Sequence, residues 1–152
     1  MKTVLIAIVV CLSPQVLLGS EDGTAKEVNA ELRAWCKDHV TAFNTGDYEQ
    51  VKTFYRFPCA VLIDGEVELA TAEGKPLVDF EKVKSSGWAY SKIKKLKVLS
   101  ASSTRAMVSM TFTRMNAKDE ELLTTTSFLG LTKVEDKWGL KTLFIAEDIP
   151  LD

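Results

Sequence analysis

Between residues 92 and 146 four apolar-rich runs follow one another in strand rhythm, and that tail restricts the chain to few folds. The runs are Lys92–Ala101, Thr104–Met115, Glu121–Val134 and Lys137–Ala146. In the second, Met107, Ser109, Thr111 and Thr113 alternate with Val108, Met110 and Phe112, the period-two pattern of a pleated strand. The later links, Asn116-Ala117-Lys118-Asp119 and Glu135-Asp136, are short and polar, so consecutive strands reverse and pair antiparallel. Such a meander has an apolar face that needs a second layer to cover it.

The preceding segment supplies helices for that layer. Thr24-Ala25-Lys26-Glu27 has the form of a capping box, after a polar Glu21 to Gly23 stretch. Val28, Leu32, Trp35, Cys36, Val40 and Phe43 then recur at helical spacing, with His39 near the edge of that face. Asn44-Thr45-Gly46 closes this helix, and Asp47-Tyr48-Glu49-Gln50 caps a second, which Pro58 is expected to stop. Cys59 to Ile63 reads as a strand, Asp64-Gly65 as a two-residue hairpin turn, and Glu66 to Ala70 as the returning strand. Pro76 opens a third helix carrying Leu77, Phe80 and Val83, and Gly87 ends it.

The first residues follow a different rule. Lys2 precedes an unbroken apolar run from Val4 to Leu12, too short to span a bilayer, and Gly19-Ser20 offers small residues for cleavage. Residues 1–20 are therefore read as a signal peptide and residues 21–152 as one domain, secreted or periplasmic, with no stable membrane insertion after cleavage. Cys11 leaves with the signal. Cys36 and Cys59 remain, and spacing alone leaves open a disulfide or two buried thiols. A formal charge of −2 with no long basic stretch argues against nucleic-acid binding. One histidine and scattered cysteines form no metal-binding pattern, and no glycine-rich phosphate loop occurs, so neither metal nor cofactor is expected.

Three motifs carry a resemblance. Phe43-Asn44-Thr45-Gly46-Asp47-Tyr48 resembles the N-x-G-D joint between the first two helices of nuclear transport factor 2-like domains. Phe57-Pro58-Cys59-Ala60-Val61 is similar to the step into their first strand, and Lys133-Val134-Glu135-Asp136-Lys137-Trp138 to their final hairpin. The resemblance covers about residues 26 to 146. It implies an α+β cone: a curved antiparallel sheet wrapped with N-terminal helices around a pocket. That superfamily includes ketosteroid isomerases, polyketide cyclases of the SnoaL-like kind, dehydratases, epoxide hydrolases and binding or assembly modules, often dimeric. The fold alone thus assigns no reaction.

The resemblance places Asp64 at the proton-shuttling carboxylate of the isomerases and His39 at their phenol donor. No acidic residue lies between Leu122 and Val134, where the second oxyanion donor belongs. The simpler reading makes Asp64 a turn residue and His39 a hydrogen-bonded helix residue. Lys92, Lys94, Lys95 and Lys97 read as a solvated strand edge, or as an anionic-ligand or membrane-surface patch. Arg114 could hold an acidic ligand group or pair across strands with Glu121. The sequence favours a domain that binds a small apolar or amphipathic ligand, or mediates assembly as a homodimer, over an enzyme. Pocket walls are expected from Trp35, Val40, Phe54, Tyr55, Phe80, Trp88, Met110, Phe112, Phe128 and Phe144. The alternative is a cofactor-free isomerase, dehydratase or hydrolase using Asp64 and His39.

Overall fold

The computed structural model describes residues 21–63 and 65–146. Residues 1–20, the segment read as a signal peptide, and Asp64 lie outside the described residues. Among the described residues, three helices precede or interrupt a six-stranded sheet: α1 (Glu21–Phe43), α2 (Tyr48–Lys52), β1 (Tyr55–Ile63), β2 (Glu66–Ala70), α3 (Phe80–Ser85), β3 (Tyr90–Ala101), β4 (Arg105–Met115), β5 (Glu121–Val134) and β6 (Lys137–Ala146). The strand order is β2-β1-β6-β5-β4-β3.

The last four strands form the expected meander. Glu135 and Asp136 both have positive φ, 50° and 58°, which suits the twist of a tight hairpin. The rest of the sheet departs from expectation. β1 pairs with β6 in parallel, so the sheet is mixed, not wholly antiparallel. It is also open, ending at β2 and β3, and not strongly curled, which corrects the curved sheet inferred from the resemblance. The parallel pairing starts early. Leu140 N–H donates to the carbonyl of Phe54 at 2.8 Å, drawing the chain into the sheet before Pro58. The second helix therefore ends at Lys52, and the cis Phe57-Pro58 bond lies inside β1, where the register with β6 shifts. Proline cannot donate to a ladder, and an irregular stretch tolerates it.

Ile63 pairs with Glu66 in the β1–β2 ladder, and Gly65 before Glu66 takes φ 78°. Two helix starts also move. α1 begins at Glu21, ahead of the Thr24 box, and α3 begins only at Phe80, where Asp79 accepts from the Lys82 N–H at 3.1 Å. Pro76 to Val78 remain outside the helix.

The Asn44 joint fixes α1 to the sheet. Its side-chain amide donates to the Ser91 carbonyl at 2.9 Å and accepts from the Ser91 N–H at 2.7 Å. Gly46 then takes φ 66°, and Asp47 caps α2 by accepting from Glu49 N–H at 2.9 Å. Near its middle α1 is held by Glu31, which accepts from Lys133 Nζ at 2.9 Å and Trp138 Nε1 at 2.7 Å. Between these ties Leu32, Trp35 and Cys36 are buried with Val108, Leu129, Leu131 and Leu140. Each fully buried leucine contributes about 2 kcal/mol by leaving water. Cys36 and Cys59 are both buried free thiols. Among the described residues, no helix is long and apolar enough to cross a membrane.

Candidate functional site

Helices cover one face of the sheet, but they do not fill the space beneath them. A cavity of about 680 Å³ opens between α1, α3, the 75–79 loop and the inner sheet face. That volume suits a small organic ligand. Strand parity decides which side chains reach it. Met110, Phe112 and Arg114 of β4 face inward, opposite Ser127, Thr125 and Leu123 of β5. Ile145 and Leu143 of β6 lie beside Ser127 and Leu129, and Val61 of β1 lies beside Leu143. The inner wall is therefore mostly aliphatic and aromatic, while exposed charges such as Glu66, Glu68, Lys75 and Lys82 stand at its margin.

The expected wall residues divide into three groups. Val40, Tyr55, Met110 and Phe112 line the cavity. Trp35, Phe54, Phe80 and Trp88 instead belong to the aromatic core. Trp35 Nε1 donates to the Trp138 carbonyl at 3.0 Å, and Phe54 turns its edge to the Trp35 ring at 5.7 Å. Phe80 and Trp88 pack around Phe43, and Trp88 Nε1 is satisfied by Ser91 Oγ at 3.0 Å. Phe128 and Phe144 sit on the opposite face, stacked on each other at 5.7 Å. They line a shallow outer groove with Leu62, Val67 and Met107.

His39 borders the cavity, yet it is caged. Its ring stacks on Trp35 with centroids 5.1 Å apart and meets the Phe54 edge at 5.5 Å. Both ring nitrogens are buried without a hydrogen-bond partner. Burial lowers its pKa from 6.5 to about 4, so the ring is neutral at neutral pH. A general base needs an orienting partner and access to a substrate proton, and among the described residues no carboxylate is bonded to His39. Tyr55, beside it, is held well above the ordinary phenol range by burial and stays protonated. Among the described residues, no group of three or more His, Cys, Asp or Glu side chains is placed to hold a metal ion.

Arg114 is the feature that the apolar wall list omitted. Glu121, the cross-strand partner weighed for it, pairs with Lys94 at 3.0 Å instead. Among the described residues Arg114 makes no ion pair, and its Nε is buried without a partner. It is half-buried, and desolvation lowers its pKa from the usual arginine value. The sequence signal was a single cation within an otherwise uncharged strand interior, Ala106 to Met115. The lysines of β3 behave as an edge: Lys92, Lys94, Lys95 and Lys97 are exposed on the strand that ends the sheet.

A family model described as NTF2-like protein (DUF6841) matches residues 30–147. The chain belongs to this NTF2-like family. No curated protein matches it in sequence. Among solved structures, a candidate dehydratase of the NTF2-like family from Streptomyces avermitilis superposes with a TM-score of 0.63 at 12% identity, covering 82% of this chain and 99% of that one. An NTF-2 like protein of unknown function from Shewanella oneidensis gives 0.57 at 16% identity, covering 79% and 99%. A candidate calcium/calmodulin dependent protein kinase II association domain from Xanthomonas campestris gives 0.55 at 18% identity, covering 86% and 91%. At these identities the likeness establishes the NTF2-like fold alone. The same fold thus carries proteins described as enzymes and as association domains.

Proposed function

We propose that this NTF2-like protein is an exported binding module that holds a small apolar or amphipathic molecule in the cavity between its helices and sheet. The cavity itself carries this reading: about 680 Å³ of space walled by Val40, Tyr55, Val61, Met110, Phe112 and Leu129. Buried apolar walls release a ligand's apolar surface from water, at about 25 cal/mol per Å². Export is supported by Lys2 and the Val4 to Leu12 run. Titration with the neutral dye N-phenyl-1-naphthylamine tests the binding reading. Saturable fluorescence enhancement at one site per chain is expected, and its absence at millimolar dye would refute the reading.

The enzyme alternative, an isomerase, dehydratase or hydrolase using Asp64 and His39, gains little from the geometry of His39. Its nitrogens are buried beside aromatic rings and hydrogen-bond to no described acid. Assembly has a separate basis on the other sheet face. Val67 is 74% exposed, Leu69 66%, and Phe144 and Met107 41% each. We propose that a second copy of the chain covers this face, giving a homodimer that leaves the cavity free.

A further inference from the structure

Among the described residues the cavity has one half-buried charge, Arg114, and its position selects among ligands. Arg114 is on the inward set of β4, after Met110 and Phe112, and lines the cavity with them. From Arg114 to Met110 the strand advances by roughly 13 Å. Ile145 and Leu143 lie two strands further across, opposite Ser127 and Leu129. The space therefore has a cationic end and a long apolar remainder. The acidic side chains that border it, Glu66, Glu68 and Asp79, are exposed at the margin and face water. Asp79 already accepts the Lys82 N–H at the start of α3. None of them neutralises Arg114 among the described residues.

An unpaired, half-buried guanidinium costs stability, because it gives up hydration without gaining a counter-ion. A ligand can supply that counter-ion. The guanidinium is planar with parallel N–H donors, and the complementary group is a planar carboxylate held by two bonds. One cation matches one negative charge.

We propose that the natural ligand is an amphipathic carboxylate, an elongated or aromatic monocarboxylic acid, with its head on Arg114 and its apolar body along Met110, Ser127, Leu129 and Leu143. This rests on the binding reading above and narrows it to a ligand class. The neutral hydroxyl of Tyr55 and the serine hydroxyl of Ser127 add polar contacts that do not discriminate by charge.

The test uses decanoate and decanol as probes, each displacing N-phenyl-1-naphthylamine from wild-type protein and from Arg114→Gln and Arg114→Lys variants. Decanoate is expected to bind wild type at least about tenfold more tightly than decanol, the discrimination of a charge-assisted hydrogen-bonded pair. Arg114→Gln should bring decanoate to the level of decanol or below, read as the ratio of the two affinities within each protein. Arg114→Lys should recover part of the difference. Arg114→Gln should also melt no lower than wild type without ligand, since it removes an unpaired cation. Equal affinities for decanoate and decanol, unchanged in Arg114→Gln, would overturn the carboxylate proposal while leaving the binding reading intact. Failure of the dye itself to bind would overturn both. A markedly lower melting temperature for Arg114→Gln would show that Arg114 serves the fold, and would also overturn the proposal.

Discussion

Replacing His39 by phenylalanine should remove an acid-sensitive fault from the core. In the folded chain the ring is caged by Trp35, Phe54 and Tyr55, and its pKa falls from 6.5 to about 4. An unfolded chain binds the proton at the ordinary value. Between these two values the unfolded state therefore holds more protons, and stability declines as the pH drops. The full gap corresponds to about 3 kcal/mol, of which about 2 kcal/mol is lost by pH 5. The described aromatic rings beside it, Trp35, Phe54 and Tyr55, do not titrate there: burial raises the Tyr55 phenol, and on the same helix it pushes Cys36 up to about 12. Glu31, whose pKa is lowered by its bonds to Lys133 and Trp138, adds a loss at more acid pH that is common to both proteins. Phenylalanine keeps a flat ring against Trp35 and carries no proton. Urea unfolding followed by tryptophan fluorescence at pH 8 and pH 5 measures the effect. Wild type should lose about 2 kcal/mol more than His39→Phe over that interval. At pH 8 the variant should gain about 1 kcal/mol, because two unbonded buried nitrogens disappear. Equal pH dependence in the two proteins would refute the caged, neutral histidine.

Three further outcomes are expected. Asn44→Ala removes both bonds to the Ser91 backbone and leaves a buried N–H unsatisfied, so urea midpoints should report a loss of about 2 kcal/mol. Cys36 and Cys59 should react with a thiol reagent only on unfolding, because both are buried and Cys59 is pushed up to about 11. Sedimentation at micromolar concentration should show a dimer that Phe144→Asp converts to monomer; a wild-type monomer would refute the outer-face interface.

Local chemistry made much of this fold legible. The Glu121–Val134 and Lys137–Ala146 strands lie where their alternation and the Glu135-Asp136 turn place them. Asn44-Thr45-Gly46-Asp47 likewise encodes its own turn and cap. The segment from Phe54 to Phe57 does not, because its apolar residues suit either a helix or a strand. Its state is decided by parallel pairing with β6, a partner far along the chain that no local pattern names. The same pairing converts an antiparallel meander into a mixed sheet. In the cavity, hydrophobicity identified Val40, Tyr55, Met110 and Phe112. It misdirected Phe128 and Phe144, since β5 turns Ser127 inward and Phe128 outward. An inward serine beside an outward phenylalanine inverts the usual order, and only the register shows it. Arg114 was visible as a residue, but its lack of a partner depended on Lys94 taking Glu121.

The central claim is that the space under the helices is a ligand site, and filling it from within tests that claim most directly. Ser127 is 3% exposed and lines the cavity, so Ser127→Phe would project a ring into the space without displacing an existing large side chain. Val83→Trp would fill it from α3. With circular dichroism unchanged, each variant should weaken N-phenyl-1-naphthylamine binding by about tenfold or more, as expected for losing the apolar contact of a buried ring. Undiminished dye binding in both correctly folded variants would contradict the account.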